Sequence, residues 1–227
     1  MQIRRLTLLD GARDAAGIAV VIDVLRASST ILTMFSRGAE AVLPVATVDE
    51  ARGLKERQPQ IVLAGERGGA PPAGFDLGNS PTEAESADLD GKTIVLTTSA
   101  GSKGLVAAEK SADGVVVGCF LNAAASVRFV RERSPSVGSL VALGTGGEVE
   151  SPEDSLAAEY IHAILEGRRP DFEAMRQEVH AHPQGQKFLD PEQPSYPEAD
   201  LGFCLRTDRF DAVPVLGDAR RLVCASR

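Results

Sequence analysis

The chain has 227 residues, of which 43% are apolar, 25% charged and 4% aromatic, with no Trp. Its 24 Lys and Arg against 32 Asp and Glu leave a formal charge of -8 with the cations scattered, which excludes a nucleic-acid binder, because affinity for a polyanion comes from clustered cations that displace counterions. An acidic chain that handles an anionic small molecule must build a local positive pocket from a few Arg side chains, backbone amides or a metal ion.

The most apolar run, residues 17–25, is too short for a bilayer and contains Asp23, so no membrane segment is expected. The first ten residues hold two Arg but no apolar run of signal-peptide length, and the expected location is the cytoplasm. Cys119, Cys204 and Cys224 are odd in number and far apart, which suits free thiols.

Strand-type and helix-type runs alternate up to about residue 165. Residues 18–23 form a continuous apolar strand ending in an acid, and Ile31, Leu32 and Phe35 mark a helix over 28–37. Strand 41–45, helix 48–57 and strand 61–64 follow, then strand 93–98, helix 102–110, strand 114–118, helix 123–133 and strand 140–143. This order predicts an α/β fold, a three-layer α/β/α sandwich around a largely parallel or mixed sheet, with ligands collected at the strand carboxyl ends. The chain reads as one domain over 1–227, with room for two lobes.

Three segments break the rhythm. Residues 65–81 form a long Gly- and Pro-rich loop ending in Ser80-Pro81-Thr82-Glu83, an N-cap, an N1 proline and an N3 glutamate. Residues 144–150 precede a similar start at Ser151-Pro152-Glu153-Asp154. Residues 180–197 carry four prolines and are expected to be an extended surface segment, before strand-like runs at 212–216 and 221–225.

Asp23 ends a buried strand and points into the ligand crevice, while Arg26 and the free amides around Ser28, Ser29 and Thr30 offer an anion site at a helix start. An Asp–Arg pair with a serine cap explains the same residues without a ligand. Glu66 and Arg67 follow the next strand in the same geometric place, with Asp76 and Asn79 as later oxygen donors. Thr97, Thr98 and Ser99 end a third strand and could meet phosphate oxygens, although hydroxyl caps are common at helix starts. Glu153 and Asp154 repeat the placement, where acids are also ordinary first-turn residues.

Several chemistries are excluded by inspection. Gly91-Lys92-Thr93 lacks the P-loop glycine, having Ser86 instead, and precedes a strand. No Gly-x-Gly-x-x-Gly follows the first strands, Leu25 stands where a second Asp would make Asp-x-Asp, and no Cys has an Arg six residues later. The three histidines lie beside no strand-end acid. What remains is a crevice of carboxylates, two arginines and hydroxyls, and oxygen ligands of this kind select a hard cation such as magnesium.

Val20-Val21-Ile22-Asp23-Val24-Leu25-Arg26-Ala27-Ser28-Ser29-Thr30, then Gly65-Glu66-Arg67-Gly68-Gly69, then Gly74-Phe75-Asp76-Leu77-Gly78-Asn79-Ser80-Pro81, resemble the 2-phosphosulfolactate phosphatase family in order and spacing. Thr97-Thr98-Ser99, Glu153-Asp154, Asp200-Leu201-Gly202-Phe203-Cys204-Leu205 and Val213-Pro214 look like its other landmarks, so the resemblance covers nearly the whole chain. It implies a magnesium-dependent hydrolase that releases phosphate from 2-phosphosulfolactate, a step of coenzyme M synthesis in methanogens. One departure is Ala100 where the family usually has Asn, with Ser102 where Thr is common. On this reading Asp23, Arg26, Glu66 and Arg67 are catalytic and Ser28, Ser29, Thr30, Asn79, Thr98 and Ser99 bind a small anionic phosphorylated substrate. Magnesium is held by some of Asp23, Glu66, Asp76, Glu153 and Asp154. Two copies could pair through a helix face, although no residue pattern marks the interface.

Overall fold

The apolar runs and amphipathic stretches become strands and helices in the computed structural model, which describes residues 1–225. In chain order these are β1 (Gln2–Thr7), α1 (Leu8–Arg13), β2 (Ile18–Ile22), α2 (Ala27–Ser36), β3 (Ala41–Pro44), α3 (Val48–Arg57), β4 (Val62–Gly65), α4 (Pro81–Ser86), β5 (Thr93–Thr97) and α5 (Gly101–Ala108). Then come β6 (Gly114–Gly118), α6 (Ala123–Arg133), β7 (Val137–Ala142), α7 (Pro152–Leu165), α8 (Phe172–Ala181), the single turn α9 (Pro183–Gln186), α10 (Glu198–Cys204), β8 (Pro214–Leu216) and β9 (Leu222–Cys224). β1 had no counterpart in the sequence pattern, since Arg4 and Arg5 interrupt its apolar residues; it is an edge strand, where charged side chains are tolerated.

The nine strands form one mixed, mostly parallel sheet in the order β1-β7-β2-β6-β8-β9-β3-β5-β4. Within each of two blocks, β1-β7-β2-β6 and β3-β5-β4, neighbours are parallel. The antiparallel hairpin β8–β9 joins the blocks, pairing Val116 with Val215 on one side and Val42 with Leu222 on the other. Counting polarity through that hairpin, β3, β5 and β4 run opposite to the first block.

Alternation along the strands divides the core. Val20 and Ile22 of β2 face a cluster with α6, α7 and α8, whereas Leu63 and Val95 of the second block face Ala51 of α3. On the other face, Val21, Val117 and Val141 of the first block share one cluster with Val42, Ala64, Ile94 and Leu96 of the second, filled by Ile31 and Met34 of α2 and Leu105 of α5. Helices thus cover both faces, as the α/β pattern requires.

That shared cluster explains how distant strands reach one site. In a flat sheet, six strand spacings would separate β2 from β4 by about 29 Å. Yet a Cβ on Gly101, just after β5, would lie 2.4 Å from Ala27 Cβ and 2.8 Å from the Asp23 carboxylate, just after β2. The sheet therefore curls around α2 and α5 and brings the carboxyl ends of both blocks together. No residue with a side chain fits at 101.

Residues 180–197 lie largely at the surface, as expected, but fold into turns rather than an extended segment. His182 caps α9, accepting the Gln184 amide on Nδ1 at 3.2 Å, and Pro183 takes the N1 position, where a missing N–H costs nothing. The prolines thus start and space turns, and Phe188 is buried in the first-block core. No helix among the described residues is long and apolar enough to cross a membrane. All three cysteines are free.

Candidate active site

The loops after β2, β4, β5 and β7 meet residues 184–196 around a cavity of about 180 Å³, lined in part by Asp23, Arg26, Glu66, Asn79, Ser99, Glu153 and Lys187. That volume suits a small metabolite, since pockets for drug-sized ligands run from about 300 Å³ upward.

Asp23 is buried, and its Oδ1 accepts the Ala27 amide at 3.1 Å. Burial, with the nearby Glu66 and Glu153 charges adding to it, pushes its carboxyl up to about 7 against the Ala27 hydrogen bond. A carboxyl poised near neutrality can exchange a proton at working pH. Arg26 is 4% exposed; Nη1 donates to Asp200 Oδ2 at 2.9 Å and Nη2 to the Gly69 carbonyl at 3.1 Å. Its guanidinium also lies 5.3 Å from the Tyr196 ring centroid. These two hydrogen bonds leave other N–H groups of the guanidinium for an anion.

Glu66 is held entirely by its neighbours. Oε1 accepts the Ser99 amide at 2.7 Å, and Oε2 accepts the Gly69 amide at 3.0 Å and the Ser99 hydroxyl at 3.2 Å. It therefore ties the β4 loop to the β5 loop. Glu153, at the start of α7, is 4% exposed, and burial raises its pKa. Its neighbour Asp154 faces inward: Oδ1 accepts the Val24 amide at 2.7 Å and Oδ2 the Gly144 amide at 2.8 Å, which joins the β2 and β7 loops. Burial and the charges of Glu153 and Asp23 push it well above the carboxylate range.

Other residues singled out from the sequence do not meet at the cavity. Arg67 turns back from it: Nη1 donates to the Glu66 carbonyl at 2.6 Å and Nη2 to Thr97 Oγ1 at 2.8 Å. Asp76 is exposed, accepting Lys55 Nζ at 3.2 Å and the Leu63 amide at 2.8 Å, because the loop that carries it runs back along β4. Ser28, Ser29 and Thr30 are buried in the first turn of α2. Ser28 Oγ accepts the Asp23 amide, Ser29 Oγ donates to the Val24 carbonyl, and the Thr30 hydroxyl has no hydrogen-bond partner among the described residues. Thr98 Oγ1 caps α5 by accepting the Ser102 amide at 2.9 Å. Of the hydroxyl residues singled out from the sequence, Ser99 lines the cavity, beside Asn79 and Ala100.

Three contributors were missed from the sequence. Asp200 has no exposed surface and accepts Arg26, Ser80 Oγ at 2.8 Å and Thr82 Oγ1 at 2.6 Å. Lys187 and Tyr196 close the cavity from the C-terminal side. Tyr196 packs so tightly on the β4 loop that a Cβ on Gly69 would lie 2.4 Å from its ring. An apolar pair flanking the prolines, Phe188 and Tyr196, is the sequence signal that this segment docks on the core.

Among the described residues, no group of three or more His, Cys, Asp or Glu side chains is arranged to hold a metal by itself. The donor chemistry nevertheless fits magnesium, which is usually held by one or two carboxylates with water and substrate phosphate completing its shell. Glu153 Oε2 and Asn79 Oδ1 are buried and have no hydrogen-bond partner among the described residues, and both residues line the cavity.

Fold and site together define an α/β protein with a small, mixed-charge cavity at converging strand ends. Residues 6–219 match the 2-phosphosulpholactate phosphatase family, and the chain belongs to it. The protein from Thermotoga petrophila named probable 2-phosphosulfolactate phosphatase is 37% identical over 209 residues, covering 87% of this chain and 88% of the relative. A protein of the same name from Caldicellulosiruptor saccharolyticus is 36% identical over 86% of this chain and 87% of its own length. Another from Thermus thermophilus is 32% identical over 88% and 87%.

Proposed function

We propose that the protein hydrolyses 2-phosphosulfolactate to sulfolactate and inorganic phosphate, with magnesium as its cofactor. The observation that carries this reading is the meeting of Asp23, Glu66 and Glu153 with Arg26 around one small cavity. Three carboxylates would repel a phosphate, so an anion site of this composition makes physical sense with a cation in it.

Glu153 and the Asn79 carbonyl, whose buried oxygens lack a partner among the described residues, would hold magnesium in the cavity that Asp23 and Glu66 also line. When bound, the cation supplies charge neutralisation and polarises phosphoryl oxygens. Arg26 binds and orients the phosphate through the N–H groups that Asp200 and Gly69 leave free. Asp23 holds the proton exchanged with the attacking water or the leaving alkoxide, its Oδ1 aimed by the Ala27 amide. Glu66 fixes Ser99 and Gly69 so that the wall of the cavity keeps its shape. Phosphoryl transfer asks mainly for positioning and charge stabilisation, which this set of groups provides.

A second reading is favoured by Ala100, a departure from the family resemblance read in the sequence, which lines the cavity. The substrate could then be another small phosphorylated hydroxy acid. Phosphate release with magnesium present, measured for 2-phosphosulfolactate, phospholactate and 2-phosphoglycerate, tests both. The first reading expects the highest kcat/KM for 2-phosphosulfolactate. A higher value for an acid without a sulfonate selects the second, and no release from any of them overturns both.

A further inference from the structure

Lys187 follows α9 and lines the same cavity, yet the hydrolysis described above gives it no task. Its ammonium donates to Gln184 Oε1 and sits 4.6 Å from the Tyr196 ring centroid. Arg26 occupies the same ring at 5.3 Å, so two cations share one aromatic side chain. Arg26 has a buried counterion in Asp200, whereas among the described residues no carboxylate lies within 4.0 Å of Lys187. Glu153, Asp23 and Glu66 are close enough to act on its charge, but too far to pair with it. An ammonium with one side-chain hydrogen bond and no carboxylate at pairing distance keeps donors open toward the cavity for an incoming anion.

We propose that Lys187 is the specificity-determining residue that binds a second acid group of the substrate, a carboxylate or a sulfonate, while Arg26 takes the phosphate. The cavity then selects phosphate monoesters that carry an adjacent acid and discriminates against simple alkyl phosphates. The division suits the two side chains: an ammonium is a compact point charge that accepts either acid, and a guanidinium matches the fixed geometry of a phosphate. Gln184 holds the ammonium from the same turn, and Tyr196 supplies its apolar wall. This inference rests on the phosphatase reading of the site.

The test compares wild type, Lys187→Met and Lys187→Arg on three substrates with magnesium: 2-phosphosulfolactate, phospholactate and glycerol 2-phosphate. For Lys187→Met the expected loss of kcat/KM on 2-phosphosulfolactate is at least about thirtyfold, mostly in KM, against no more than about threefold on glycerol 2-phosphate. Lys187→Arg should recover part of the loss. A matching loss on phospholactate assigns Lys187 to the carboxylate, and a much smaller one assigns it to the sulfonate. Equal losses on all three substrates, or none, overturn the proposal. Should wild type release no phosphate from any of them, the phosphatase reading fails, and calorimetric titration with sulfolactate decides the role of Lys187. Weaker binding to Lys187→Met than to wild type then upholds the proposal, and equal binding overturns it.

Discussion

The cavity is built from two regions that work in opposite ways. The loops after β2, β4 and β7 supply acids: Asp23, Glu66, Glu153 and, behind them, Asp154. The C-terminal segment from α9 to α10 manages the cations: Lys187 comes from it, and Asp200 anchors Arg26. Hydrogen bonds from loop amides hold Glu66 and Asp154 at the strand ends, while the segment that crosses them sets where positive charge sits. The lesson is that the balance of charge at the site depends on a part of the chain far from the strand ends in sequence.

The largest expected effect contrasts the two arginines. Arg26→Ala should lower kcat/KM by about a thousandfold, as for loss of a central donor to a developing anion. Arg67→Ala should change kcat/KM by less than about threefold and instead lower stability by roughly 1–2 kcal/mol, because its partners are the Glu66 carbonyl and Thr97. Equal losses in activity would place Arg67 at the substrate and dissolve the contrast. Thermal melts and steady-state rates on the same preparations read both quantities.

Asp200→Asn asks whether the distal segment governs a strand-end cation. Removing the buried counterion of Arg26 leaves an uncompensated charge, so kcat/KM should fall by roughly tenfold to a hundredfold and the melting temperature should drop. Partial recovery of KM by Asp200→Glu would identify positioning. Unchanged kinetics in Asp200→Asn would show that Arg26 holds its place without the C-terminal segment.

A smaller effect concerns the acids alone. The folded Asp23 carboxyl titrates near 7 against 3.8 for an ordinary one, so the native state holds its proton more tightly than the unfolded chain. The stabilisation is full below about pH 4 and is lost as pH rises through 7. Glu153 and Asp154 shift in the same direction. Metal-free protein should therefore melt at lower temperature at pH 7.5 than at pH 5, and Asp23→Asn should flatten that slope. A wild-type slope of the opposite sign would mean that the acids do not strain the native state.

The first region was the legible one. Strands buried on both faces, such as β2 and β6, appear as unbroken apolar runs, and the Ser80–Glu83 cap is present as read, with Ser80 Oγ accepting the Glu83 amide at 3.2 Å. Asp23, Glu66, Ser99 and Glu153 follow from being at strand ends or at a proline-led helix start, although Ser151 makes no side-chain cap there. Orientation was not legible. Arg26 and Arg67 occupy equivalent places after β2 and β4, and only contacts from distant chain, Asp200 for one and Thr97 for the other, turn them to different sides. Ser28 to Thr30 face inward because α2 sits inside the curl of the sheet, and that curl depends on the β8–β9 hairpin, whose place between the blocks no local pattern announces.

The account's central claim is that the acids of the strand ends recruit a cation and so turn an acidic cavity into a phosphatase site. Initial rates of phosphate release from 2-phosphosulfolactate, followed as magnesium is titrated into chelator-stripped protein, test it most directly. The account predicts no release without metal, saturable activation by magnesium, and activation shifted to much higher magnesium in Glu153→Gln. Full activity in the stripped protein, or an identical magnesium dependence in Glu153→Gln, would contradict it.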